Sequence, residues 1–156
     1  MDVSLRVSRP SDLELFFLNQ TDQQANYLAA FTPKDPMDRA AYFSKWTRLL
    51  ADPNIHMQSI MVDDQLVGCV VKFPMEGKSE ITYAISRSFW GKGITTLAVK
   101  KFLILETVRP IFGKVAFDNF GSQKVLEKAG FQKIGTAMGF AHARGKEIEE
   151  FIYKLE

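Results

Sequence analysis

Residues 80–105 read EITYAISRSFWGKGITTLAVKKFLIL, and no other part of the chain restricts the fold as much. EITYAIS is short and β-rich. The stretch from about Ile94 to Val108 is long and repeats apolar residues at helical steps. Gly91 and Gly93 punctuate the change. On a helical wheel Ile94, Leu97, Ala98, Phe102, Ile104, Leu105 and Val108 share one broad arc, with only Lys101 intruding. Such an arc predicts a helix lying against a sheet. A strand that turns directly into a helix of this kind makes the chain α/β.

The remaining segments extend that unit. SLRV near the start reads as a strand ended by Pro10. Ser11 and Glu14 then have the spacing of a capping box, with Leu13, Phe16 and Phe17 as the apolar face. A short helix is expected around Asn26–Ala30, and a longer one from Asp35-Pro36, where aspartate caps and proline suits the first turn. IHMQSIMV and LVGCVVKF form a hairpin about Asp63-Asp64-Gln65, and EITYAIS follows the turn Glu76-Gly77-Lys78. KVAF is a strand and DNFGSQKVLEKAGF a helix, with Asn119 as its cap and Gly130 as the left-handed residue after its end. Strands around Phe131–Ala137 and Glu147–Leu155, joined through HARGK, complete the chain. The order predicts one α/β domain over residues 1–156, a mixed sheet of about seven strands with about four helices.

Composition narrows the class of function. Of 156 residues 46% are hydrophobic and 24% charged, which suits one soluble core. A net charge of +2, with Lys and Arg scattered among acids, argues against nucleic acid. The N-terminus MDVSLRVSRP lacks the apolar stretch of a signal peptide, and no window reaches the length of a membrane span. The expectation is a cytoplasmic protein with no membrane partner. The single cysteine, Cys69, lies in an apolar run and reads as a small buried hydrophobe.

Gly91 and Gly93 open a helix whose first N–H groups have no partner and lie at the positive end of its dipole. Without Cβ atoms the backbone can take an anion closely, so amides from Gly91, Lys92, Gly93, Ile94, Thr95 and Thr96 can cradle phosphates. Lys92 adds charge at the rim, and Thr95 and Thr96 can cap the helix or donate hydroxyls. The plainer alternative is a tight β–α turn. A P-loop is absent, and threonine at position 96 breaks a dinucleotide fingerprint.

ITYAISRSFWGKGITTLAVKKFL followed by DNFGSQKVLEKAGF resembles the GNAT superfamily of N-acetyltransferases. It is most similar to the RimJ/RimL-like branch, named for enzymes that acetylate N-termini of ribosomal proteins. Phe89-Trp90-Gly91-Lys92-Gly93 fills one motif of that branch. Asn119, Ser122, Val125-Leu126-Glu127-Lys128 and Gly130-Phe131 fill the other. The resemblance spans nearly the whole chain and implies the GNAT acyl-CoA N-acyltransferase fold.

The implied reaction is direct attack of an amine on the thioester of acetyl-CoA, within a ternary complex. The backbone of EITYAIS, Ile85 included, would hold the thioester arm, splayed from KVAF. Trp90 stands where many members carry Gln or Arg, and Thr95 where they carry Gly or Ala. Asn119 would bond the pantetheine arm. The tyrosine that many members place in the second helix is here Leu126, so Ser122 inherits the role of hydrogen-bond donor to sulfur. Glu80 is the base suggested by position and Tyr83 an assistant; both also read as ordinary strand residues. His56 and His142 read as solvated positions, and no metal is expected because neither has a ligand at suitable spacing. The acceptor is a primary amine, a protein N-terminus or a small molecule. Asp35, Asp38, Glu147, Glu149 and Glu150 are acids able to attract it. A non-catalytic acyl-CoA sensor is the alternative reading, and a homodimer is compatible with either.

Overall fold

In the computed structural model, which describes residues 1–156, the chain runs β1 (Val3–Val7), α1 (Leu13–Gln20), α2 (Gln23–Ala29), α3 (Arg39–Leu50), β2 (His56–Val62), β3 (Gln65–Met75), β4 (Lys78–Ile85), α4 (Ile94–Leu105), β5 (Ile111–Ala116), α5 (Phe120–Lys128), β6 (Gln132–Ala141) and β7 (Lys146–Leu155). The strands form one sheet in the order β1-β2-β3-β4-β5-β7-β6. All neighbours are antiparallel except β4 and β5. The expected seven-stranded mixed sheet is present, with five helices instead of about four.

Alternation along the strands divides the core in two. On one face α4 and α5 cover Val67, Val70, Ile81, Ile85, Ile111 and Val115. On the other, α1 and α3 bring Leu13, Phe16, Phe17 and Tyr42 onto Met57 and Val71. Cys69 packs in this second cluster, where burial pushes its thiol up to about 12. A small third cluster of Ala30, Ala116, Ala141 and Ile148 closes the far end.

Local cues placed most elements, and the departures have tertiary causes. Ser11 caps nothing. Instead Asp12, fixed by Arg6 and Ser59, accepts the Arg9 N–H at 2.9 Å in a single 3-10 turn ahead of α1. The short helix begins at Gln23, because Asp22 accepts the N–H groups of Gln24 and Ala25. Asp38 caps α3 through Ala41 N–H at 3.0 Å, while Asp35 closes a turn onto Met37. The Pro36 carbonyl, which a helix starting there would use, accepts from Gln20 of α1 instead. α4 stops at Leu105, since Glu106 turns inward to His56 and Lys72. Its buried arc contains Ile94, Ala98 and Phe102 as expected, but also Val99 and Leu103; Leu97, Ile104, Leu105 and Val108 are exposed. The wheel ranked apolarity, whereas β1 and α5 decide which side is covered. No helix is long and apolar enough to cross a membrane.

Candidate active site

β4 and β5 pair only at Ser79 with Ile111 and Glu80 with Phe112. Beyond those two positions the parallel strands part. Because β4 and β5 are neighbours in the sheet, each wall of the resulting gap offers backbone donors and acceptors with no strand partner there. β4 runs from this gap into the glycine turn, and β5 runs to Asn119.

Gly91 and Gly93 have φ of +77° and +76°, the left-handed region that glycine enters without strain. A Cβ on either would meet no protein atom within 4 Å, so the space before the turn is open. Gly93 is the N-cap of α4, and no side chain caps the first turn. Thr95 and Thr96 therefore do not cap it, contrary to one sequence option; a capping residue precedes the first turn, and both lie within it. Ile94 is buried in the core, which leaves only its backbone for a ligand. Trp90 donates its indole N–H to the Ile85 carbonyl at 3.1 Å and packs on the main core, bracing the turn against the strand end. Lys92 is exposed, with Nζ 5.4 Å from the centre of the Phe89 ring.

Across the gap, Tyr83 reaches Ser122. The phenol oxygen of β4 lies 2.8 Å from Ser122 Oγ in the first turn of α5 and 3.3 Å from its carbonyl. Burial pushes the Tyr83 pKa well above its ordinary value, opposed by the Ser122 hydrogen bond, so the phenol stays protonated. Asn119 caps α5 by accepting the Ser122 N–H at 3.3 Å. Leu126 is buried against Gly113, where a tyrosine would meet the sheet instead of opening into the gap. Tyr83 brings a phenol from β4 to the first turn of that helix instead.

Glu80 is buried and ion-paired, 3.2 Å from Lys114 Nζ, so it is no exposed strand-start charge. His56 is half-buried and held by polar partners instead of freely solvated. Its Nδ1 lies 3.0 Å from Glu106 Oε1, its Nε2 3.0 Å from Gln58 Nε2, and its ring stacks on Phe102. It belongs to the opposite end of the sheet, by the C-terminus of α4. His142 is exposed in the β6–β7 turn, edge-on to Phe140.

α2 and the β6–β7 turn hold contacts that no sequence motif announced. Arg144 in the β6–β7 turn makes two hydrogen bonds of 2.9 Å to Asp118, donates to the Tyr27 carbonyl at 2.7 Å and lies over the Tyr27 ring. Arg87 binds Asp22 and Gln24. Thus α2 is tied at one end to the turn before Gly91 and at the other to the residue before Asn119. A concavity of about 620 Å³ opens between Tyr27, Phe117 and the β6–β7 hairpin.

Residues 2–132 match the family described as acetyltransferase (GNAT) domain. A putative ribosomal N-acetyltransferase of Bacillus subtilis, YdaF, is 27% identical over 98% of this chain and 90% of its own length. An uncharacterised N-acetyltransferase of Bacillus licheniformis, p20, is 36% identical over 84 residues; that match spans 51% of this chain and about half, 47%, of the relative. The crystal structure of spermidine N-acetyltransferase from Vibrio cholerae, with CoA and spermine bound, superimposes with a TM-score of 0.82 at 16% identity, covering 98% of this chain and 94% of that one, which shows a shared fold. With the splayed strands, the left-handed glycine turn and the Asn119 cap all in place, the chain belongs to the GNAT family of acetyltransferases, and its relatives agree with the RimJ/RimL-like branch.

Proposed function

We propose that this chain moves the acetyl group of acetyl-CoA to a primary amine by direct attack in a ternary complex. The observation that carries this is the Tyr83–Ser122 hydrogen bond across the unpaired β4–β5 gap. Two hydroxyls joined across the gap give a donor to a departing thiolate, and Tyr83, held as a phenol, keeps that donor loaded.

The other parts of the site fit the co-substrate. Gly91 and Gly93 border open space at a helix N-terminus that no side chain caps, and the amides of Gly91 to Thr96 would bind the diphosphate. The free amide nitrogen of Asn119 would hold the pantetheine arm, and β4 backbone up to Ile85 would orient the thioester. The CoA bound in the Vibrio cholerae neighbour supports a CoA thioester as the co-substrate. The amine forms the new C–N bond and releases a proton to water, the C–S bond breaks, and sulfur takes a proton from the hydroxyl pair, which water restores.

The acceptor class follows from the cost of a neutral amine. At pH 7 a lysine-type ammonium costs about 4–5 kcal/mol to deprotonate, an α-amine only about 1 kcal/mol. An α-amine, at a protein N-terminus or on a small molecule, is the acceptor that asks least of the site. The relatives point both ways: one is named a ribosomal N-acetyltransferase, another holds spermine.

The test is release of CoA thiol from acetyl-CoA against alanyl, seryl and methionyl peptides, spermidine and kanamycin. Turnover is expected with at least one amine. Tight acetyl-CoA binding without thiol release on any of them would make the chain an acyl-CoA sensor.

A further inference from the structure

Three ionisable side chains meet on the face of the sheet opposite Tyr83. Along β4, Ile81, Tyr83 and Ile85 point into the α4–α5 core, so Glu80, Thr82 and Ala84 point to the side carrying α1–α3. Lys114 lies opposite Ile152, and Ala116 opposite Glu150, which makes Lys114 and Glu150 diagonal neighbours on that same face. Lys114 also reaches back to Glu80 at 3.2 Å. Glu80 is buried and Glu150 half-buried, whereas Thr82 and Ala84 further along β4 are exposed. The exposed strand surface forms an open approach that ends at this cluster.

The charges do not cancel. Within the cluster two carboxylates share one ammonium, a net of one negative charge with both acids ionised; Lys78 and Lys154 lie over Phe112 at the closed end, and neither pairs with Glu150. Lys114 is committed to Glu80 at ion-pair distance, and no side chain forms a hydrogen bond with Glu150. We propose that Glu150 receives the proton of the incoming ammonium, with Lys114 and Glu80 as a positioning pair beside it.

The role rests on the acetyl-transfer reading and completes it. Hydroxyls on one face of the gap serve the sulfur, and a carboxylate on the other serves the nitrogen. The ammonium gives one proton to Glu150, which passes it to water in the open approach. The neutral amine then bonds to the thioester carbon. As the C–S bond breaks, nitrogen sheds its second proton to water, and sulfur gains one from the Tyr83–Ser122 hydroxyls, which water restores. Burial raises the affinity of Glu150 for protons, Lys114 opposes this and Glu80 adds to it, which makes a better base than an exposed carboxylate. From β6 the facing residue is Ala137, which does not titrate.

The test uses the full chain, with whichever amine of the panel above turns over fastest. E150Q is expected to lower kcat/KM at least about 100-fold near neutral pH, the low end of general-base effects, and to leave the affinity for CoA unchanged. The loss should shrink as pH rises, because the amine then deprotonates without help. Glu150→Asp, which keeps the charge on a shorter arm, should lose less and serves as the reporter if the glutamine variant does not fold. Parity of the tested variant with wild type, or a defect constant across pH, overturns the proton role. Absence of turnover by the wild type on the whole panel overturns the acetyl-transfer reading, and this role falls with it.

Discussion

Tyr83 and Ser122 stand 39 residues apart and meet through one 2.8 Å hydrogen bond. If the pair protonates the leaving sulfur, Tyr83→Phe and Ser122→Ala should each lower kcat about 100-fold, the low end of general-acid effects, with acetyl-CoA affinity nearly unchanged. Steady-state kinetics beside calorimetric titration of CoA separates the two quantities; kcat equal to wild type removes the pair from the chemistry. Gly93 invites a different substitution. Valine there would adopt φ near +76° at a cost of about 1–3 kcal/mol, and its side chain would enter the open space before the helix. Gly93→Val should therefore lower the melting temperature by several degrees and weaken CoA binding at least tenfold. Unaltered CoA affinity would take the diphosphate away from this turn. Both glycines, Asn119 and Ser122 were legible in the sequence, since caps and left-handed turns depend on neighbours within about four residues. The Tyr83–Ser122 bond was not, because it joins residues 39 apart on different elements and no short-range rule relates them.

Among the elements, α2 has the weakest apolar anchorage: none of its residues is fully buried. Polar ties hold it instead, with Asp22 and Gln24 on Arg87 and the Tyr27 carbonyl and ring on Arg144. Arg144 keeps only 4% of its side-chain surface, although it belongs to a turn that reads as solvated. Arg144→Ala should cost about 1–3 kcal/mol in chemical denaturation, since the buried guanidinium's hydrogen bonds to Asp118 and the Tyr27 carbonyl are lost while the partly exposed Asp118 returns to water. It should also raise KM for the amine more than KM for acetyl-CoA, because α2 and the hairpin tip lose their tie. Equal effects on both KM values would deny α2 a part in the acceptor side. The sequence missed these ties for a physical reason. An arginine in HARGK has the composition of any exposed turn, and only the folding of β6–β7 toward α2 buries it.

Over the whole molecule, one buried acid joins the first elements to the sheet. Asp12 accepts from both guanidinium nitrogens of Arg6, from the Arg9 N–H and from Ser59, linking β1, the turn before α1 and β2. Burial works against its charge, but the hydrogen bonds from Arg6 and Ser59 outweigh it and hold its pKa at about 2. A depressed carboxylate pKa stabilises the fold above the unfolded value near 3.9, and that contribution, roughly 2–3 kcal/mol, fades as pH falls toward 2. Asp12→Asn should flatten the loss of stability between pH 4 and 2 in denaturant titrations; an unchanged slope would place the acid sensitivity elsewhere. By itself the sequence determined the seven-stranded α/β plan, the glycine turn and the Asn119 cap, because strand alternation, helical period and capping are short-range rules. Where α4 turns its apolar face, which tyrosine serves Ser122, and how Glu80, Lys114 and Glu150 come to share one corner were decided only by strand order and register. Those are long-range facts: β5 pairs with β4 at just two positions and then with β7, and no local pattern along the chain encodes that divergence.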